Sequence, residues 1–339
     1  MSARSGLLAA GNWIVDKLKV VDTYPQQDAL ANILSESVGN GGSPFNVLVN
    51  LARMKAPFPL SGIGLVGDDA DGDWVRVQCE AHGIETRGLK VLPGRHTSYT
   101  DVMTVQSTGR RTFFHQRGAN AFLEGEHFDF AATSAKIFHL GYLLLLDRLD
   151  ATDPEFGTAA ARVLHRATEA GLKTSIDVVS EDSDRFAQVV LPALRHVDYC
   201  IINEFEAERT TGITIRREGP LDPEALRQAS LRLLEAGVRE RVIIHFPEGA
   251  TALDRHGHFH RQGSLLVPQQ EIVGTVGAGD AFAAGALLAL HENEAIDNVL
   301  RYGVCAAAAC LSAVGTSDGL KSLPECLKLG EKFGFREPL

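Results

Sequence analysis

The chain lacks most of what would tie it to a secreted, membrane-bound or nucleic-acid-binding class. Its cysteines are few and scattered: Cys79, Cys200, Cys305, Cys310 and Cys326 are odd in number and contain no Cys-x-x-Cys pair. Such spacing points to free thiols in a reducing cytosol rather than to a disulfide framework. Long hydrophobic runs are missing, and nothing approaches the roughly 18–20 apolar residues of a membrane span. Near the start, Leu7-Leu8-Ala9-Ala10 is cut short by Gly11-Asn12, so no signal peptide is expected. Positive charge is scarce as well. With 33 Lys+Arg against 43 Asp+Glu the formal net charge is -10, which argues against the basic stripe of a general nucleic-acid binder. No internal repeat or low-complexity segment stands out.

What remains is an ordinary globular composition, 45% apolar and 22% charged over 339 residues. That length suits one large α/β domain with a small appendage, or two modest domains. Leu7 to Val15 reads as a first strand. Val47 to Met54 reads as a helix, with Ser43 as its N-cap and Pro44 in the first turn. Ser61–Gly67 is a short apolar strand, and the helix after it presents Trp74, Val77, Gln78 and Ala81 on one face. Thr97–Val105 and Arg111–Arg117 form a hairpin with little core-forming material, a projecting flap joined by strands from 17–21 and 29–38. From about Ala135 strands and helices alternate: strands at 137–142, 173–178, 197–202 and 241–245, helices at 156–170, 186–194, 224–236 and 297–311. Alternation of this kind implies a doubly wound, mostly parallel sheet flanked by helices. In such sheets ligands bind at the carboxyl ends of the strands.

The densest chemistry lies in Gly274-Thr275-Val276-Gly277-Ala278-Gly279-Asp280. An apolar, strand-like stretch precedes this turn and the helical run Ala281–Leu290 follows it. A small-residue turn at a helix N-terminus exposes backbone N–H groups under a positive dipole, which makes a site for an anion such as phosphate. Two common phosphate loops are excluded. No Lys follows Gly279, as Gly-Lys-Ser/Thr would demand, and Phe282 stands where a dinucleotide fingerprint needs its third glycine. Taken alone, Asp280 also reads as a plain helix cap.

Four segments in sequence order resemble the signatures of the ribokinase-like, or PfkB, family of carbohydrate kinases. Gly41-Gly42-Ser43-Pro44-Phe45-Asn46 resembles the family's Gly-Gly-x-x-x-Asn. Gly64-Leu65-Val66-Gly67-Asp68-Asp69 with Gly72 resembles the segment after it. Asn203-Glu204-Phe205-Glu206 resembles Asn-x-x-Glu, and the 274–280 turn resembles Asp-Thr-x-Gly-Ala-Gly-Asp. The resemblance covers nearly the whole chain and implies one ribokinase-like domain over residues 1–339, with a small β-strand lid from insertions at roughly 16–38 and 95–118. It also implies ATP-dependent phosphorylation of a hydroxymethyl group on a sugar or sugar-like alcohol. Asp280 would be the general base, and Thr275, Gly277, Ala278 and Gly279 would bind the phosphate. Asn203 and Glu206, three apart on one helical face, would organise Mg²⁺ through water, although a helix-start Asn and a solvated Glu fit the same spacing. Asn12, Asp16, Gly41, Gly42 and Asn46 would bind the acceptor, although Asn12 and Asp16 also suit a turn.

Further residues carry weaker expectations. His115 and Arg117, ahead of a family-like Gly118-Ala119-Asn120, would touch substrate or merely decorate an exposed strand. The His256–His260 cluster reads as a polar hairpin, and the 315–319 segment would border the adenine site. The family signature opens with Asp where this chain has Gly274, which puts a monovalent-cation site in doubt. The reading is thus a cytoplasmic, Mg²⁺-dependent kinase using ATP, with no nucleic-acid or membrane partner, and a homodimer through the lid. A nucleoside kinase of the same fold and a non-catalytic sugar-binding regulator stay open. A nicotinamide oxidoreductase is disfavoured by the missing glycine.

Overall fold

A computed structural model describes residues 4–217 and 219–339. The chain runs through β1 (Leu7–Gly11), β2 (Ile14–Val21), β3 (Ile33–Gly41), α1 (Ser43–Arg53), β4 (Leu60–Gly67), α2 (Ala70–Ala81) and β5 (Glu85–Leu92). It continues with β6 (Ser98–Val105), β7 (Arg111–Gln116), β8 (Ile137–Leu143), the two-residue strands β9 (Thr152–Asp153) and β10 (Gly157–Thr158), α3 (Ala159–Glu169), β11 (Lys173–Val178), α4 (Phe186–Leu194) and β12 (Tyr199–Asn203). The last third holds α5 (Glu204–Thr211), α6 (Pro223–Glu235), β13 (Arg241–Phe246), β14 (Gly249–Asp254), β15 (Phe259–Gly263), α7 (Ala278–His291), α8 (Ile296–Cys310) and α9 (Leu323–Phe333).

The large sheet has the order β15-β14-β13-β12-β11-β8-β1-β4-β5. It is parallel from β13 through β5, and the hairpins β13–β14–β15 close one edge antiparallel. Helices cover both faces, so the central strands are buried along nearly their whole length rather than on alternate residues. Leu7 and Ala9 of β1 pack into the core under α1, α7 and α8, while Leu8 and Ala10 enter the core under α3, α4 and α6. A second sheet, β3-β2-β6-β7, forms the lid, with β2 and β6 parallel and the outer pairs antiparallel. The doubly wound, mostly parallel sheet with a small β lid is therefore the fold.

Several local expectations change. The stretch 7–15 is not one strand: the chain breaks at Asn12–Trp13 and passes from the large sheet into the lid. Gly11 has φ 128°, and Trp13 turns its buried indole onto Gly62 and Gly64 of β4, where any Cβ would overlap the ring. Ser43 is not the N-cap of α1. Gly42 caps the helix at φ 81°, and Ser43 lies inside it with its hydroxyl 2.9 Å from His139 Nε2. The buried stripe of α2 is Gly72, Val75 and Cys79, whereas Val77 is 58% exposed. The helix expected from Phe156 begins at Ala159, because the β9–β10 pair occupies the residues before it. Among the described residues no strand leads into the 274–280 turn. A single 3-10 turn, Gln269–Glu271, precedes it, and Leu265 makes only an isolated bridge to Phe335.

Candidate active site

The 274–280 turn hinges on one position that only glycine tolerates. Gly277, the N-cap of α7, has φ 77°, and a Cβ there would stand 2.6 Å from the Thr316 carbonyl oxygen. Among the described residues no side chain caps this helix end. Its first N–H groups are thus left unsatisfied by the helix, and the dipole adds positive potential beside them. Thr275, Gly277, Ala278, Gly279 and Asp280 all line a cavity of about 470 Å³.

Asp280, 7% exposed, is the third residue of α7 and is fixed by two other elements. Asn46 Nδ2 of α1 donates to its Oδ2 at 2.8 Å, and the Tyr142 hydroxyl at the end of β8 lies 2.8 and 2.9 Å from its two oxygens. Asn46 is itself held by Asn40 Nδ2 at 2.6 Å, and Thr316 Oγ1 donates to the Asn40 carbonyl at 2.6 Å. One carboxylate thus links the large sheet, the helix after the lid and the C-terminal segment.

The other sequence-derived candidates divide. Asp16 of β2 faces the cavity beside Thr100. Gly41 makes room for it, since a Cβ at 41 would come within 2.4 Å of Asp16 Oδ1, and Gly42 lines the cavity. Asn12 does not line it. The Asn12 amide is fully buried, accepting from Tyr142 N at 2.6 Å and donating to the Leu145 carbonyl at 2.9 Å, so it holds the loop that presents Tyr142. Asn203 and Glu206 form a reciprocal cap on α5, and both face the cavity. Asn203 Nδ2 reaches Glu206 Oε1 at 2.7 Å, and Ser180 Oγ donates to the same oxygen at 2.6 Å. His115 lines the cavity with its Nδ1 3.0 Å from Thr100 Oγ1. Arg117 instead pairs with Asp147 at 3.2 Å, and Asn120 clamps the main chain of Trp13. The His256–His258 residues sit in the turn between β14 and β15.

Sequence reasoning missed Tyr142, Asp177, Ser180, Thr100 and Arg111, all of which line the cavity. Tyr142 and Asp177 stand in the last residues of parallel strands, where such sheets place their ligands, and that signal was available. Arg111 carried none, because a charged residue on an outer lid strand is expected anyway.

Four carboxyls, Asp16, Asp177, Glu206 and Asp280, share this cavity, and Arg111 is the sole Lys or Arg among its lining residues. Burial raises all four above the ordinary carboxylate range, and neighbouring carboxylates push Asp16, Asp177 and Glu206 further up. Asp16 is pushed up to about 8 by burial and by the Asp280 charge, against the Thr100 hydrogen bond. Asp177 rises well above its usual value through burial, Asp280 and Glu206. Glu206 goes to about 7 through burial, opposed by Ser180 and Asn203. Asp280 goes to about 6 through burial, restrained by the Asn46 and Tyr142 hydrogen bonds.

Such an oxygen-only, cation-poor donor set fits a hard divalent ion. Among the described residues no three His, Cys, Asp or Glu side chains converge as a ready cage, so water and phosphate oxygens would supply the remaining ligands. A second cavity of about 500 Å³ lies across the turn and is mostly apolar, with Phe246, Leu265, Val267, Val304 and Leu311 in its wall. Asn203, His245, Thr275, Ala278 and Gly279 border both cavities. From the 315–319 segment, Thr316 faces the first one.

Known proteins share this fold. The model of the pfkB family carbohydrate kinase matches residues 14–323. The ATP-dependent ribose-1-phosphate kinase of Halopiger xanaduensis is 26% identical over 320 residues, covering 94% of each chain. The structure of Arabidopsis thaliana ribokinase complexed with ribose and ATP superposes with a TM-score of 0.76 at 22% identity, over 96% of this chain and 98% of that one. A putative ribokinase II from E. coli in complex with ATP and Mg²⁺ gives 0.75 at 20% identity, over 97% and 99%. At those identities the two structures speak to the fold.

A carboxyl whose native pKa is raised favours the folded protein in its neutral form. That stabilisation is complete below the ordinary carboxylate range and is lost as pH rises through the native value, about 8 for Asp16. Thermal stability of the ligand-free protein should therefore decline from roughly pH 4 upward, and Asp16→Asn should flatten the decline. Melting curves across the range check this. A variant that loses stability as steeply as the parent would contradict it.

Proposed function

The chain belongs to the pfkB family of carbohydrate kinases, and on that premise we propose that it transfers the γ-phosphoryl group of ATP to a hydroxymethyl group of a sugar or sugar-like alcohol, with Asp280 as the general base. The observation that carries the proposal is a buried carboxylate one residue beyond the 277–279 turn, at an uncapped helix N-terminus between two cavities. The cavity holding Asp16, Asn46 and Asp280 suits a polyhydroxylated acceptor, and the apolar one suits a purine base. The names of the haloarchaeal relative and the plant ribokinase, with ribose-1-phosphate, ribose and ATP in them, support the same assignment.

In the proposed step the acceptor hydroxyl oxygen forms a bond to the γ-phosphorus, and its proton passes to a carboxylate oxygen of Asp280. The bond from the γ-phosphorus to the β,γ-bridging oxygen breaks, and its electron pair leaves with ADP. The N–H groups of the 277–279 turn hydrogen-bond the charge that gathers on the phosphoryl oxygens. Tyr142 and Asn46 hold the Asp280 carboxylate in place. Asn203 and Glu206, with Asp177 facing the same space, would hold Mg²⁺ through water, and the ion would supply charge neutralisation at the phosphates. The lid, which we assign to insertions at 16–38 and 95–118 of a single domain, would exclude water.

Further readings rest on single observations. A Cβ at Gly274 would lie 2.6 Å from the Ala313 carbonyl oxygen, so the acidic residue of the family signature has no seat there. We read turnover as independent of potassium. Ile33, Leu34 and Val38 of the lid are 52%, 48% and 55% exposed, and we read them as covered by a second copy in a cytoplasmic homodimer. Sedimentation at micromolar concentration checks this, and a monomer would contradict it. Ile14, Phe113 and Tyr142 give the acceptor cavity an apolar flank, which keeps a nucleoside acceptor as the second reading.

ADP release with a panel of sugars, sugar phosphates and nucleosides, run with and without potassium, tests the function. One or more sugars should be turned over at equal rate in both buffers. Asp280→Asn should keep the fold and ATP affinity while kcat drops by at least ~10²-fold, the lower end for losing a general base. Normal turnover by that variant would remove Asp280 from the mechanism. Tight sugar binding with no turnover of any compound would favour a binding regulator.

A further inference from the structure

Strand β7 points alternate residues into the acceptor cavity: Arg111, Phe113 and His115 all line it, as the period of a strand dictates. Arg111 stands apart from the other lid cations. Lys17 pairs with Asp71 and Lys19 with Asp101. Arg111 shares its cavity with four carboxyls, yet its side-chain hydrogen bond goes to none of them. Nη2 donates to Thr275 Oγ1 at 2.7 Å, across 164 residues of sequence and from the lid sheet to the 274–280 turn. Thr275 borders both cavities. The guanidinium therefore sits at their junction, where a phosphoryl group passing from donor to acceptor must cross. A guanidinium has five N–H donors in a fixed fork suited to phosphoryl oxygens, and the contact with Thr275 occupies one of them.

We infer that Arg111 is a catalytic residue carried by the lid, donating to oxygens of the phosphoryl group in transit beside Thr275. This rests on the kinase reading above and adds a group that the sequence signatures do not contain. The bonds made and broken are those of the proposed transfer, and Arg111 exchanges no proton. It balances negative charge in a cavity whose own side chains are acidic. Because the residue rides on the lid, charge stabilisation is complete only when the lid lies against the turn, which links water exclusion to reactivity. A second source of the same anion is a phosphate carried by the acceptor itself, and the two have different kinetic signatures.

The test compares the parent with Arg111→Ala and Arg111→Lys on a neutral sugar and on a phosphorylated one. Loss of the guanidinium should lower kcat by roughly 10²–10³-fold, the range for removing one preorganised donor, by the same factor for both acceptors. Affinity for Mg·ADP should stay within about twofold, and Arg111→Lys should recover part of the rate by keeping charge without the fork. A rise in KM confined to the phosphorylated acceptor, or no change in kcat, would overturn the inference. Calorimetry gives a readout without turnover. Aluminium fluoride should tighten Mg·ADP binding by the parent about tenfold or more and should fail to do so in Arg111→Ala. Equal tightening in both, or none in the parent, would overturn the inference. Tightening lost only in the variant, with no acceptor turned over by the parent, would uphold Arg111 and refute the assigned acceptor class.

Discussion

The proposed mechanism depends on keeping one carboxylate buried, correctly aimed and still ionisable. Asp280 is buried, and burial alone would hold it protonated and useless as a base. Two hydrogen bonds work against that: the Asn46 amide from α1 and the Tyr142 hydroxyl from the end of β8. Their partners must in turn be fixed, and much of the local fold does so. Asn12 binds both the Tyr142 N–H and the Leu145 carbonyl, while Asn40 holds Asn46. Gly42 passes so close to the Asn12 carbonyl oxygen that a Cβ would sit 2.0 Å from it. On the proposed mechanism a rate advantage from general-base chemistry would rest on amide-to-carbonyl contacts several ångströms from the reacting atoms.

The second constraint is electrostatic. The cavity gathers Asp16, Asp177, Glu206 and Asp280 and offers one guanidinium against them. Such an arrangement is poor for a ligand-free protein and good for one that meets a divalent ion and a phosphate chain, since each arriving charge relieves the last. It also accounts for an acidic chain binding an anionic donor. On the proposed reading the phosphate would be met by main-chain N–H groups and by Arg111, which hydrogen-bonds Thr275 rather than a carboxylate, so the net charge of -10 is no obstacle.

Sequence patterns made the architecture legible because strands and helices alternate, and each carries the apolar stretch its place in the sheet demands. They also pointed to the 277–280 turn, whose Gly277 is required by backbone geometry and so is written directly into the residue type. Where reading failed, tertiary contacts decided. Leu7–Val15 reads as one strand across Gly11-Asn12, yet Trp13 finds a slot over Gly62 and Gly64 and the chain breaks there. Ser43 has the chemistry of a cap, but His139 claims its hydroxyl from a strand almost a hundred residues away. Val77 suited the apolar face of α2 by spacing and is turned outward because the sheet is met by Val75 and Cys79 instead. Asn12 looked like an acceptor ligand and is a brace for Tyr142. Long-range partners of this kind leave no local mark, and neither did Arg111, whose meaning comes from meeting Thr275.

The central claim is that Asp280 acts as a carboxylate whose acidity is set by burial against the Tyr142 hydroxyl. The acid limb of the kcat/KM profile measures it most directly, compared between the parent and Tyr142→Phe. The parent limb should be centred near pH 6, with activity lost as the pH falls through it, since Asp280 is raised to about that value. Removing the hydroxyl removes an interaction that favours the charged form, so the limb should move to higher pH. A limb in the ordinary carboxylate range near pH 4, or one that stays in place without the hydroxyl, would contradict the account.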